Sequence, residues 1–300
     1  MTRITARRRV TRYTLGERTS RREDDLTAEE PLEVRVGGRP LAVTMRTPGH
    51  DVDLALGLLV SEGVVRGRDD VLGARHCAGD PAGGRGADAS NADNVLDVAL
   101  AAHVPPPAAS ATHALTMTSA CGLCGKDSID AVRQRSAFDV SRDPVTLDPA
   151  WLTALPDRMR EAQALFARTG GLHAAALVDV ARDEVLVVRE DVGRHNAVDK
   201  VVGWALREGR LPLRGTVLVV SGRAGFELAQ KASMAGIPAM AAVSAPSSLA
   251  VDLANEVGMT LAGFVRGSSF VVYAGDARIV ERSAEPVAAT EPVAASGARA

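Results

Sequence analysis

The chain has 300 residues, 46% hydrophobic and 24% charged, which is enough for one large domain or two smaller ones with a buried core. Its 35 basic residues nearly cancel 37 acidic ones, so no overall positive charge favours nucleic-acid binding. This composition excludes a peptide hormone, a disulfide scaffold and a linker. Three cysteines are typical of a protein from a reducing cytoplasm. The sequence has no run of about 18 apolar residues, so no membrane span is predicted. We therefore expect a cytoplasmic protein that binds neither nucleic acid nor membrane.

Both ends of the chain are predicted to lie outside any core. Residues 1–22 hold eight arginines against one acid, Glu17, and no apolar stretch follows them. We predict that residues 1–30 form a disordered basic arm. After about Glu281 the chain consists mainly of Ala, Pro, Glu and Val, so residues 283–300 are predicted to be a disordered tail.

The next segment, residues 31–145, is predicted to be a small N-terminal α+β domain. Apolar alternation predicts strands at 32–36 and 41–45, which form a hairpin, and a further strand at 94–100. Apolar spacing predicts a helix over 51–62. The Gly-rich stretch 73–93 is predicted to be a surface loop that contains Cys77, and the domain is expected to end with a CxxC loop and its helix.

Residues 146–282 show a more regular alternation of strands and helices. A helix is expected from Asp148, with Pro149 in its first turn, followed by a hairpin of strands 173–180 and 184–188. Predicted helices 194–207, 224–235 and 248–257 then alternate with strands 216–220, 238–243, 260–265 and 270–273. This order predicts a second, three-layer α/β domain with a largely parallel sheet covered on both faces.

The first chemical motif is a pair of thiols, Cys121 and Cys124, set among glycines and followed by Lys126 and a predicted helix. Unpaired N–H groups at a helix start and a nearby ammonium both favour thiolate over thiol. Three interpretations stay open: a nucleophile that carries sulfur or an acyl group, a dithiol redox pair, and half of a zinc site. Zinc needs four ligands, and no second Cys or Cys/His pair has metal-binding spacing.

Polar clusters follow three predicted strands of the second half. They cover residues 189–200, 221–223 and 264–269, and each contains arginine. The carboxyl ends of strands in open α/β sheets bind ligands, and helix N-termini there favour anions. One interpretation is that these clusters bind a phosphate or a polar ring. The other is that they form a capped helix whose first turn is solvated.

Together these residues form a resemblance to a known family. The motifs that carry it are Cys121–Lys126, Thr169–Ala175, Glu190–Lys200, Ser221–Arg223 and Gly263–Arg266. Their combination, over about residues 31–279, resembles the formate dehydrogenase accessory sulfurtransferase family, FdhD. The CxxC alone would not be specific. The resemblance also implies that the second domain is similar to the cytidine deaminase fold, without that family's zinc ligands.

The resemblance implies a sulfurtransferase that works through a cysteine persulfide. Such a protein accepts sulfur from a cysteine desulfurase and passes it to the molybdenum bis(molybdopterin guanine dinucleotide) cofactor before that cofactor enters formate dehydrogenase. The persulfide position falls on Cys121, with Cys124 as a relay or protecting thiol. The cofactor is a bound substrate, no permanently bound metal is expected, and the protein is expected to be a homodimer. A cofactor chaperone without catalysis and a dithiol oxidoreductase are the alternatives.

The resemblance also indicates where the cofactor binds. Its binding stretch falls on Phe264, Val265, Arg266, Gly267, Ser268 and Ser269. Phosphates are expected on Arg194, Arg223 and Arg266, and the ring or sugar on His195 and Asn196, with Ser221 beside them. This sequence departs from the family at Ser269 and Val271, where relatives commonly have Arg and Asn.

Overall fold

The computed structural model describes residues 4–77, 93–107, 116–117 and 135–281. The predicted thiol pair Cys121 and Cys124, and the tail 283–300, lie outside the described residues. The described strands are β1 (Thr5–Arg12), β2 (Ser20–Thr27), β3 (Glu30–Val36), β4 (Arg39–Arg46), β5 (Val71–His76), β6 (Val95–Leu100), β7 (Thr116–Met117), β8 (His173–Asp179), β9 (Glu184–Asp191), β10 (Thr216–Val220), β11 (Ala239–Ala242), β12 (Thr260–Arg266) and β13 (Ser269–Ala274). The described helices are α1 (Asp51–Ser61), α2 (Pro149–Glu161), α3 (Ala164–Thr169), α4 (Arg194–Arg207), α5 (Phe226–Met234) and α6 (Ser248–Val257).

The basic arm forms an antiparallel hairpin of β1 and β2, so the prediction of disorder is wrong for residues 5–27. The register places three arginines of β1 opposite three acids of β2, and Arg7 donates to Asp25 at 3.3 Å. Asp25 also accepts from Arg168 of α3 at 3.0 Å, which joins the hairpin to the rest of the protein. Opposite charges across a strand pair stabilise it. The acids of β2 follow directly in the chain after the arginine-rich residues 1–22, on which the prediction of a disordered arm rested.

The first large sheet has the order β5-β6-β3-β4-β7. The predicted hairpin of β3 and β4 is confirmed, and alternate residues of β3, Leu32 and Val34, are completely buried. The predicted loop at 73–93 is wrong at its start, because residues 73–76 belong to β5, which pairs with β6. Helix α1 packs against this sheet, and its apolar residues share one core with those of β3 and β6.

The second sheet has the order β13-β12-β11-β10-β8-β9. Only the β10–β11 and β11–β12 pairs are parallel, while the other three are antiparallel, so the prediction of a largely parallel sheet is wrong. Helices α4, α5 and α6 connect β9 to β10, β10 to β11 and β11 to β12, which all run in the same direction, but β8 lies antiparallel between β9 and β10. At the two ends of the sheet, the tight turns of the β8–β9 and β12–β13 hairpins reverse the chain.

Helices cover this second sheet on both faces, which makes it the middle of three layers. Helices α4, α5 and α6 lie on one face, and α2 packs on the other. Helix α2 begins as the sequence predicts: Asp148 caps it by accepting from the Trp151 N–H at 3.0 Å, and Pro149 occupies the first turn. The protein is therefore a mixed α/β fold.

Two glycines bring α1 and α4 into backbone contact between the two sheets. A Cβ on Gly57 would lie 1.9 Å from the carbonyl oxygen of Asp199, and one on Gly203 would lie 1.8 Å from that of Asp53. No side chain fits at either position. Because the two helices touch so closely, the core is continuous from the first sheet through α1 and α4 to the second.

In the part of the chain that the structure describes, no helix combines the length and apolar character needed to cross a membrane.

Candidate functional site

One edge of the second sheet brings the predicted polar clusters together. The carboxyl ends of β10, β11 and β12 meet there, because these strands are parallel. Strand β8 runs antiparallel to β10, so its first residue, His173, lies at the same edge, opposite Asp191 at the end of β9. We call this region the strand-end edge. Ligands of open α/β sheets bind at such edges.

Arg194 opens α4 at the strand-end edge and is half-buried. Its Cδ lies 3.9 Å from the position that a Cβ on Gly222 would take, so the side chain lies against the turn that follows β10. The Arg194 Nε is buried and has no hydrogen-bond partner among the described residues. A buried guanidinium nitrogen at a helix N-terminus suits an anionic ligand such as a phosphate.

Two histidines and a carboxylate surround this arginine. His195 Nε2 lies 3.3 Å from Glu227 Oε2, and this hydrogen bond is the main reason that the pKa of Glu227 is lowered; the Arg194 charge lowers it further. Burial, followed by the Arg194 charge, lowers the pKa of His173 below its ordinary 6.5. At neutral pH, Glu227 is therefore ionised and His173 is neutral.

Ser221 and Arg223 follow β10 at the centre of the edge. The Ser221 hydroxyl accepts from the Ala174 N–H at 2.9 Å, so it connects β10 to β8. Arg223 is exposed. Among the predicted ligand residues of this cluster, Arg223 is thus placed to reach a ligand in solution.

The predicted binding stretch at the end of β12 alternates between surface and core. Phe264 has a left-handed backbone, with φ of 52°, and lies where the β12–β13 register shifts. Such irregularities redirect side chains: Phe264 is 36% exposed, whereas Val265 is completely buried. The Arg266 guanidinium carbon lies 5.8 Å from the Phe264 ring centre. Gly267, Ser268 and Ser269 are exposed beside them.

Three predicted ligand residues are buried instead of facing solvent: Val265, His195 and Asn196. Val265 packs in the core on the α2 side of the sheet. Asn196 donates to the Met45 carbonyl at 2.8 Å and to Asp191 Oδ1 at 3.0 Å, so both of its N–H donors are used. This geometry gives Asn196 a structural partner in the first sheet, 151 residues away in the chain.

Two residues at this edge, His173 and Glu227, were not among the predicted site residues. His173 stands in a motif that carried the resemblance, but no role was assigned to it. Glu227 lies in the first turn of α5, just after the Ser221–Arg223 cluster. An acid in the first turn of a helix that follows a strand end was the available signal. It is shared with many ordinary helices.

Across residues 4–77, 93–107, 116–117 and 135–281, no group of three or more His, Cys, Asp or Glu side chains could hold a metal ion.

Comparisons with known proteins give the chain its family. A family model described as the FdhD/NarQ family matches residues 27–280. The sulfur carrier protein FdhD of Mycolicibacterium paratuberculosis is 56% identical over 276 residues, covering 92% of this chain and 99% of that protein. Its namesake from Streptomyces avermitilis is 56% identical over 285 residues, covering 95% and 99%. A crystal structure described as that of a formate dehydrogenase accessory protein from Desulfotalea psychrophila has the same fold, with a TM-score of 0.72 at 20% identity, covering 93% of this chain and 100% of that one. The chain belongs to the FdhD/NarQ family.

Proposed function

We propose that this protein is a sulfur carrier required for formate dehydrogenase activity. It accepts sulfur from a cysteine desulfurase as a persulfide on Cys121 and passes it to the molybdenum bis(molybdopterin guanine dinucleotide) cofactor, before that cofactor enters formate dehydrogenase. The observation that carries this proposal is the near-full-length similarity to relatives named sulfur carrier proteins. We propose that the cargo binds at the strand-end edge.

The residues of the strand-end edge suit a cofactor with several phosphates. Arg194 offers a buried guanidinium nitrogen without a partner among the described residues, and Arg223 and Arg266 are exposed at the ends of β10 and β12. Strands β10 and β12 are two places apart, about 10 Å at ordinary strand spacing. An elongated, multiply charged ligand can span that distance, whereas a single phosphate ion cannot. The exposed Phe264 ring offers a face for a base.

The sulfur moves in two steps. In the first, the Cys121 thiolate attacks the outer sulfur of the desulfurase persulfide, the sulfur–sulfur bond there breaks, and the desulfurase cysteine leaves as a thiolate. Nothing is oxidised or reduced overall. In the second, the reduced molybdenum of the cargo gives two electrons to the outer sulfur, which becomes its sulfido ligand, and Cys121 leaves as a thiolate. Cys124 serves as a relay or as a protecting thiol.

We also propose that the protein is a cytoplasmic homodimer that contacts formate dehydrogenase. The chain is proposed to consist of two domains with a boundary near residue 145. The second unit, 146–282, is proposed to be similar to the cytidine deaminase fold without its zinc. The β8–β13 sheet with helices on both faces supports a three-layer second unit.

The proposal is tested in cells that carry Cys121→Ala as their only copy. We expect formate dehydrogenase protein to accumulate without activity, because no persulfide can form. Cys77→Ala is the matched control. Cys77 is half-buried directly after β5, and its bond to the Val95 carbonyl comes from the backbone N–H, which the substitution keeps. Normal formate dehydrogenase activity with Cys121→Ala would remove the persulfide mechanism and favour a chaperone without catalysis.

A further inference from the structure

The end of β4 is held by residues that surround the start of α4. Five hydrogen bonds connect residues 44–47 to residues 191–200: Thr44 Oγ1 donates to Asn196 Oδ1 (3.3 Å), Asn196 Nδ2 to the Met45 carbonyl (2.8 Å), the Thr47 N–H to Asp191 Oδ2 (3.1 Å), the Val192 N–H to Thr47 Oγ1 (3.1 Å) and Lys200 Nζ to the Thr47 carbonyl (2.8 Å). We call this set the β4 clamp.

The side chains of the clamp are buried and bonded to one another. Asp191, Asn196 and Lys200 are at most 3% exposed. Asp191 pairs with Lys200 at 2.7 Å and accepts from Asn196 and from the Gly193 N–H at 3.0 and 2.8 Å. Fully bonded polar networks of this kind fix one geometry, because every shift leaves a buried polar group unpaired.

The clamp lies between β4, which pairs with β7, and the start of α4, where Arg194 stands. The Thr44 hydroxyl donates to Asn196, and Thr44 also pairs with Met117 in the parallel ladder of β4 and β7. Cys121 follows Met117 by four residues, so chain length limits the distance between their Cα atoms to about 14 Å. Arg194 precedes Asn196 by two residues, in the first turn of α4 at the strand-end edge.

We propose that Asp191, Asn196 and Lys200 are positioning residues for sulfur transfer. They hold β4, and through it β7, at a fixed place relative to Arg194. The strand that leads into the CxxC segment is thereby set against the edge where the cargo binds. None of the three touches the sulfur or the cofactor. This inference rests on the proposed function and assigns the Glu190–Lys200 motif a role other than ligand binding.

A positioning role predicts a specific split between two rates. Loading of Cys121 by the desulfurase needs only an accessible thiol, so it depends little on the clamp. Transfer to the bound cofactor needs the persulfide and the edge in register, and a displacement of about 1 Å costs on the order of a hundredfold in rate. A residue that merely stabilises the fold would change both rates alike, in proportion to the folded fraction.

The test compares Thr44→Val with Thr216→Val in the full-length protein. Both threonines are buried and carry a hydroxyl donor. The Thr44 hydroxyl lies 3.3 Å from Asn196 Oδ1 and 3.5 Å from the Met45 carbonyl oxygen. The Thr216 hydroxyl donates to the Leu213 carbonyl at 2.8 Å, at the opposite end of β10 from the edge. Four quantities are measured: the unfolding temperature, the sulfur loaded on Cys121 after incubation with desulfurase and cysteine, the affinity for GDP, and the activation of formate dehydrogenase per loaded carrier. GDP serves as a probe because it stands in for the guanosine diphosphate part of the cofactor.

We expect Thr44→Val to load sulfur and bind GDP within about twofold of the wild type, and to activate formate dehydrogenase ten- to a hundredfold more slowly. Thr44→Ser, which keeps the hydroxyl, restores activation, and Thr216→Val activates normally. If Thr44→Val is unfolded at the assay temperature, Thr47→Val takes its place with the same expected split, because it removes only the bond from Val192.

Normal activation by a folded, loaded clamp variant overturns the inference while leaving the proposed function intact. Equal losses of loading and activation also overturn it, because they show a role in folding alone. A wild-type protein that takes up no sulfur contradicts the proposed function itself, and the inference falls with it.

Discussion

The close contact between α1 and α4 makes a sharp prediction about Gly203. In Gly203→Ala the new Cβ would meet the Asp53 carbonyl oxygen at 1.8 Å and its carbonyl carbon at 2.6 Å. Both are backbone atoms of a helix, so no rotamer change can relieve the clash. Ordinary contact begins near 3.4 Å, and the helices must therefore separate by roughly 1.6 Å.

Separating these helices disturbs the centre of the continuous core. Overpacking of this kind typically costs about 1 to 3 kcal/mol, and a clash with helix backbone belongs at the upper end, about 2 to 3 kcal/mol. At roughly 2 to 4 °C per kcal/mol, the unfolding temperature should fall by about 4 to 12 °C. Thermal unfolding followed by circular dichroism measures this shift.

Gly73→Ala is the matched control for this experiment. Gly73 lies in β5, and a Cβ there would have nothing within 4 Å, so we expect an unfolding temperature within about 2 °C of the wild type. An unchanged unfolding temperature for Gly203→Ala would refute the backbone contact. It would also refute the shared core that depends on this contact.

Two further predictions concern the strand-end edge. Arg194→Ala, Arg223→Ala and Arg266→Ala should each weaken GDP binding by roughly ten- to a hundredfold in calorimetric titration, since a charge-assisted bond to phosphate contributes about 1.5 to 3 kcal/mol; equal affinity in all proteins, or no binding to any, would contradict this placement of the cofactor. Stability should fall as the pH is lowered from about 7 to 5. Burial lowers the pKa of His173 and of His50 in the folded protein, whereas the unfolded chain protonates both near 6.5. The unfolded state therefore binds more protons in this pH range. Urea unfolding at three pH values measures the slope, His173→Gln should reduce it, and a slope unchanged by that substitution would count against the buried, neutral His173.

Local sequence patterns predicted the elements of the second half well and their pairing less well. Helix α4 and strand β10 have the predicted bounds, because apolar spacing in a single segment reports helix or strand directly. Strand direction depends on partners elsewhere in the chain. The alternation around β10 suggested a parallel sheet, yet β8 joins β10 in the antiparallel direction. The hairpin of β1 and β2 was missed for a similar reason, since its acids lie on the other strand.

The strand-end position of the polar clusters was predictable, whereas the exposure and the partners of their side chains were only partly so. Strand ends followed by Arg and Gly correctly indicated the edge where Arg194 and Arg223 lie. A local pattern does not reveal which polar side chain is used by a distant segment. Asn196 looks like a ligand residue in the sequence, but its partners include Met45 and Thr44 of another sheet. Val265 is buried because the backbone is irregular at Phe264, which no side-chain pattern announces.

The most direct test of the central claim is the mass of the protein after incubation with a cysteine desulfurase and cysteine. Peptide mass spectrometry should show a gain of about 32 Da, the mass of one sulfur atom, on the peptide that contains Cys121. Thiol reductant should remove the gain, and Cys121→Ala should not acquire it. A Cys121–Cys124 disulfide that exchanges with thioredoxin, with no gain of sulfur on Cys121, would contradict the account and indicate a dithiol oxidoreductase.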